Sequence, residues 1–240
     1  MNKSKIKKVG QDVIKLESAA LAKLSKSLDK NFVEAVELIS QLNGKIIISG
    51  VGKSGNIAGK IAASFTSTGI PAIYLNPVDA SHGDMGIIDK NDLLIILSNS
   101  GESHELTDLI NFSKKKKLKI ISITSSNKSL LSKNSDINLI IPYHLEADKL
   151  QTIPTTSTTM SLALGDALCC SVLSLRKFDK KAFRELHPGG KIGEALLLAK
   201  DIMVTGDKMP MIDHSKNFKQ ALKIMNQKKL GIVVITKKKF

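Results

Sequence analysis

Leu93 to Leu97 is apolar at every position, and the run stops at once in Ser98-Asn99-Ser100-Gly101. A run this short has no face left for water, so it fits a strand buried on both sides of a sheet. Behind Glu102-Ser103-His104-Glu105, the residues Leu106, Leu109, Ile110 and Phe112 fall at helical spacing. Strand, tight polar turn and helix form the unit from which parallel sheets are assembled. The turn is also suited to anions: the first N–H groups of a helix are unpaired and its dipole favours negative charge there. Ser98, Ser100 and Ser103 add hydroxyls, and Gly101 lets the backbone come close. An ordinary helix cap uses the same residue types, so the loop alone does not decide.

The same alternation recurs along the chain. Apolar spacing predicts helices over residues 3–29 and 32–42. Strands are expected at Lys45–Ser49, Ala72–Leu75, Leu93–Leu97, Lys119–Thr124 and Ile137–Ile141. Helices are expected at Asn56–Thr68, His104–Lys117 and Ser129–Lys133, and a long one from the Thr155–Thr159 cap to Arg176. Asn76–Asp84 reads as a polar loop. The fold class is α/β: a doubly wound, flavodoxin-like, five-stranded parallel sheet behind N-terminal helices. Ligands of such sheets bind at the carboxyl ends of the strands, where Ser49–Gly55, Asn76–Asp84, Ser98–Ser103 and Thr124–Asn127 lie. After Lys200 the character changes. Met211-Ile212, a helix over Phe218–Lys228 and a strand over Gly231–Ile235 form a small β-α-β unit, which divides the chain into 1–199 and 200–240.

The formal charge of +14 raises nucleic acid as a partner. The excess is dispersed, aromatics are 4% and Trp is absent, so a stacking platform is not expected and nucleic acid is set aside. No apolar run is expected to reach membrane-span length, and no apolar segment follows the basic start, so neither a membrane nor a signal peptide is expected. Cys169 and Cys170, adjacent in an apolar run, read as small buried hydrophobes of a reducing cytoplasm. Gly50-Val51-Gly52-Lys53-Ser54-Gly55 is not a P-loop, because Ile47 and Ile46 stand where an earlier glycine is needed. It has dinucleotide-loop spacing, but the next strand, Ala72–Leu75, ends without an acid.

Taken together, Gly50–Gly55, His82-Gly83-Asp84-Met85-Gly86, Ser98–Ser103, Pro154–Thr159 with Gly165-Asp166-Ala167, and His187-Pro188-Gly189-Gly190 resemble the sugar isomerase (SIS) domain family, and within it the arabinose-5-phosphate isomerases. The resemblance covers about residues 5–198, and residues from Asp201 onward resemble part of one cystathionine-β-synthase-type (CBS) repeat. It implies an aldose–ketose isomerase that interconverts D-arabinose 5-phosphate and D-ribulose 5-phosphate in the cytoplasm, for synthesis of 3-deoxy-D-manno-octulosonate (KDO) and so of lipopolysaccharide or capsule. It also implies a homo-oligomer, a tetramer built as a dimer of dimers, with His187 reaching the site of a neighbouring subunit.

Such a reaction needs no cofactor. A base moves a proton between C2 and C1 through an enediolate, and a donor or cation stabilises the oxyanion. The family pattern implies four catalytic groups: Lys53, Glu105, Glu146 and His187. Glu146, in an irregular loop, is the first choice of C1–C2 base, with its carboxyl expected to be raised by burial. Glu105 is a second acid/base or orients Lys53; Lys53 meets the oxyanion or a sugar hydroxyl; His187 suits ring opening. Glu102 reads as a helix-start residue, not a base. Substrate contacts are expected from Gly52, Ser54, His82, Ser98, Asn99, Ser100, Ser103, Thr155, Thr156 and Ser157. His82 could also take up an inhibitory zinc. A non-catalytic sugar-phosphate sensor and an isomerase of another sugar phosphate are the alternatives.

Overall fold

The computed structural model describes residues 3–176, 178–187 and 198–237. The chain divides into two compact units, Met1–His187 and Pro188–Phe240.

The first unit begins with helices α1 (Lys3–Ser27) and α2 (Lys30–Ser40). Then come β1 (Ile46–Gly50), α3 (Gly52–Ser67), β2 (Ala72–Leu75) and α4 (Pro77–Ser81). The chain continues through β3 (Leu93–Leu97), α5 (Thr107–Lys115), β4 (Lys119–Thr124), α6 (Leu130–Lys133) and β5 (Ile137–Ile140). It ends with α7 (Thr156–Leu175) and α8 (Lys180–Leu186). The sheet has five parallel strands in the order β2-β1-β3-β4-β5. All residues of β1 and β3 are buried, as their unbroken apolar character requires.

Alternate residues of each strand serve two cores. Ile46, Ile48, Leu93, Ile95, Ile121 and Ile123 pack on the face covered by α1, α2, α3 and α7. Ile47, Leu94, Ile96 and Ile120 pack on the other face with Leu106, Leu109 and Ile110 from α5 and the turn before it. α3 and α7 meet closely because position 165 is glycine: a Cβ there would fall 2.3 Å from Cδ1 of Ile61. Beside this contact, Lys60 and Asp166 pair across the same two helices.

At the amino ends of the strands Asp92 is 2% exposed in its side chain. Its carboxylate accepts from the Lys45 ammonium at 2.6 Å, the Lys45 N–H at 2.9 Å and the Asp89 N–H at 2.7 Å. Burial pushes this carboxyl up, but the bonds from Lys45 and Asp89 outweigh it and hold it below its ordinary value.

Four expectations are corrected. Pro77–Ser81 is helical, not loop, with Asn76 Oδ1 accepting from Val78 N–H as its cap, and Asp84–Ile87 is a 3₁₀ turn. The helix expected from His104 starts as a 3₁₀ turn, His104–Leu106, before α5. Cys169 is buried, with its thiol pushed up by that burial, whereas Cys170 is exposed. Finally, α7 is long and apolar enough, by length and composition, to cross a membrane. Met160, Leu164, Leu168 and Val172 of α7 belong instead to the core shared with α1, α2 and α3, and a core helix needs the same composition.

The second unit contains α9 (Ala199–Ile202), a parallel pair β6 (Met211–Asp213) and β7 (Val234–Thr236), and α10 (Phe218–Lys228) between them. Asn217 and Gln220 cap α10 reciprocally. Phe218, Ile232 and Ile235 are exposed.

Candidate functional site

β1 and β3 are neighbours that the chain leaves in opposite directions, which makes them the switch point of the sheet. Gly50 is the register partner of Leu97, so Val51–Ser54 and Ser98–Ser103 leave the sheet side by side. α3 begins at Gly52 with no side-chain cap, so its first N–H groups and the exposed Lys53 face outward at this point.

The serine loop is held by its own hydroxyls and by the loop after β4. Ser98 Oγ accepts from Gly101 N–H at 3.1 Å and lies 3.0 Å from Ser103 Oγ; Ser100 Oγ accepts from Glu102 N–H at 3.2 Å. The Asn99 carbonyl accepts from Ser125 N–H, Ser125 Oγ and Thr124 Oγ1. The Gly101 carbonyl accepts from Leu131 N–H, and Glu102 Oε1 accepts from Leu130 N–H. Gly101 sits at φ +73°, and a Cβ there would fall 2.1 Å from Ser129 Oγ, so only glycine fits. Ser98 is buried, Asn99 and Ser100 are exposed, and Ser103 is partly buried. The first bond of the turn that follows runs from Leu106 N–H to the Ser103 carbonyl, which leaves the preceding N–H groups directed to an anion.

Glu146 lies across from this loop. Its Oε2 accepts from Thr155 N–H at 2.8 Å, Thr155 Oγ1 at 3.0 Å and Ser157 N–H at 3.3 Å. The carboxylate thus caps α7, whose Thr155 makes no cap bond of its own. Burial pushes the Glu146 carboxyl up, but the bonds from Ser157 and Thr155 outweigh it and hold it below its ordinary value. The expected rise is therefore corrected: a helix N-terminus and three donors favour the ionised form more than partial burial disfavours it. The loop around Glu146 is tied by side chains. Gln151 exchanges two hydrogen bonds with the Glu146 backbone. The Asp148 carboxylate accepts from the N–H groups of Leu150, Thr152 and Ile153.

Ser54, Asn99, Glu146 and Ser157 line one cavity of about 230 Å³, together with Gln151, Thr152 and Ser161. Thr155 is spent on holding Glu146. Thr156 Oγ1 is buried without a partner among the described residues and lines a different hollow, beside α1. Lys53, Glu105 and His82 are exposed near the carboxyl ends of their strands and do not line the cavity. His187 lies elsewhere in the unit. Its ring stacks on Phe183 at 3.9 Å, its Nδ1 is 2.8 Å from the Phe183 carbonyl, and it lines a hollow with Ala62, Thr66 and Tyr74. Pro188, Gly189 and Gly190 of its motif lie outside the described residues. No three His, Cys, Asp or Glu side chains among the described residues are grouped to hold a metal, so zinc at His82 has no set of ligands there.

Residues 38–171, which carry the sheet, both loops and most of α7, match the SIS domain. The chain belongs to the SIS domain family. Of SIS relatives, an uncharacterized protein of Rickettsia prowazekii is 41% identical over 238 residues, 99% of this chain and 74% of its own. Arabinose 5-phosphate isomerase KdsD of Yersinia pestis is 42% identical over 227 residues, 94% of this chain and 69% of its own. The crystallised SIS protein c3406 of Escherichia coli CFT073, in complex with arabinose 5-phosphate, has a TM-score of 0.76 at 35% identity, covering 78% of this chain and all of that one. Within this SIS fold the sequence reading missed Gln151, Thr152 and Ser161 of the cavity, and the scaffolding Asp148. Asp148 with Thr152 at the fourth place after it was the available signal, since an aspartate often folds a loop onto its own side chain.

Proposed function

We propose that this SIS protein is an aldose–ketose isomerase that interconverts D-arabinose 5-phosphate and D-ribulose 5-phosphate through an enediolate. The observation that carries the reading is the single cavity in which Asn99 of the serine loop, Ser54 at the start of α3 and the Glu146 carboxylate face one another. Helix-start N–H groups and hydroxyls hold the phosphate on one side. On the other side, Glu146 Oε1 accepts no hydrogen bond among the described residues and is the oxygen left to take the C2 proton and return it to C1. Lys53 stabilises the oxyanion, Glu105 orients it or serves as a second acid/base, and His82, Ser98, Ser100 and Ser103 shape the sugar and phosphate ends of the site. His187 opens the ring from a neighbouring subunit of a tetrameric homo-oligomer; its place away from the cavity of its own chain supports that reading. The enzyme works in the cytoplasm and supplies the sugar phosphate for KDO. The β-α-β order of residues 200–240 and the exposed apolar side chains there support a CBS-type repeat.

The test is an isomerase assay of the purified full chain on D-arabinose 5-phosphate in EDTA. Ribulose 5-phosphate is expected from the wild type and largely lost in Glu146→Ala and His187→Ala, by about 100-fold each. A wild type that binds sugar phosphate in a thermal-shift assay without turning it over makes it a sensor instead.

A further inference from the structure

Next to Glu146 stands a second buried group for which the reaction above has no use. His144 is 7% exposed in its side chain and Glu146 13%, and His144 Nε2 lies 3.8 Å from Glu146 Oε1. The other ring nitrogen, Nδ1, is 3.0 Å from the Pro142 carbonyl. A carbonyl only accepts, so in the neutral ring the proton sits on Nδ1 and Nε2 presents a lone pair toward Oε1. Glu146 Oε2 is taken up by Thr155 and Ser157, which leaves Oε1 as the free oxygen.

Those donors create a difficulty for a base. They favour the ionised carboxylate, so each proton Glu146 picks up weakens three hydrogen bonds. We propose that His144 is a positioning residue for Glu146: its Nε2 accepts the hydrogen bond that Oε1–H donates once Glu146 carries the substrate proton. This rests on Glu146 being the C1–C2 base. The C2–H bond breaks, its proton goes to Oε1 and its electron pair into the enediolate. The proton then returns from Oε1 to C1 and the carboxylate is restored. His144 keeps its Nδ1 proton throughout and gains none. The 3.8 Å separation is longer than a hydrogen bond, and catalytic contacts commonly tighten only in the substrate complex. The ring is confined: it lines a hollow of about 130 Å³ with Leu16, Ala20 and Lys23 of α1, Tyr143 of its own loop, and Thr156 of α7. Lys23, Tyr143 and Glu146 are the titratable groups that face it.

Isomerase kinetics on the full chain test this with two variants. His144→Phe keeps ring volume without the lone pair and is expected to lower kcat about tenfold or more with KM within about twofold. His144→Gln, which offers an acceptor oxygen, is expected to recover part of that loss. An active wild type whose kcat survives His144→Phe, or loses equally in both variants, overturns the proposal alone; an inert wild type overturns the isomerase reading instead. Should His144→Phe not fold, the imidazole ¹⁵N spectra of wild type and Glu146→Gln decide. A Nε2 resonance that moves on removal of the carboxylate supports the contact, and one that stays in place overturns it.

Discussion

The serine loop after β3 and the Glu146 loop before α7 face the same cavity but are built differently. Ser98–Ser103 leaves the centre of a fully buried sheet and is braced by a second loop through main-chain groups: the carbonyls of Asn99 and Gly101 accept from Ser125 and Leu131. The segment from Pro142 to Pro154 has no strand or helix, and Asp148, Gln151 and Glu146 supply its order from their own side chains. A loop that grips an anion profits from rigidity, since its donors must already be in place. A loop that carries a base must give slightly when a proton arrives, and side-chain ties can lengthen one at a time.

This contrast can be broken by experiment. Gly101→Val should have the largest effect, because it adds a Cβ against Ser129 at a left-handed φ. A misplaced phosphate loop is expected to lower kcat/KM about 100-fold, mostly through KM; a change confined to kcat would contradict the division between the loops. Asp92→Ala, at the opposite end of the strands from both loops, serves as the stability reference. Removing one partner of a buried pair is expected to cost about 3 kcal/mol in urea unfolding and leave KM unchanged.

The Asp92 carboxyl is held below its ordinary value near 3.8. The stability it contributes is therefore complete above that value and lost as pH falls through the lower, folded-state value. Asp92→Asn should flatten the acid limb of a stability–pH curve there. Asp148→Ala is expected to lower kcat about tenfold while KM and the melting temperature stay near wild type, since it frees only the Glu146 loop. A matching rise in KM would mean the two loops are one unit. Ser103→Ala, which removes one hydroxyl facing Ser98, is expected to raise KM about fivefold, the worth of roughly one hydrogen bond.

The parallel sheet was legible because Leu93–Leu97 and its companions are apolar at consecutive positions, a pattern only a doubly covered strand requires. α4 was legible in principle, since Asn76-Pro77 is a cap followed by a first-turn proline, but its five residues carry no period to confirm it. The candidate site divides the same way. Asn99 and Ser54 follow from strand ends, whereas the bonding of Glu146 to Thr155 and Ser157 joins positions with no periodic relation. Its depressed carboxyl was unreadable for that reason: the sequence shows a glutamate in a polar loop, not a glutamate seated on a helix start. His187 was placed by motif resemblance, and its seat against Phe183 depends on α8, whose Asp179 cap was present in the sequence but unread.

The bracing of the serine loop has an evolutionary consequence. Asn99 ties the two loops together through its carbonyl, which every amino acid possesses, while its side chain is exposed at the cavity. Architecture and recognition are thus assigned to different atoms of one residue. A lineage could exchange the side chain at this position, and with it the sugar that is preferred, without rebuilding the scaffold that holds the phosphate.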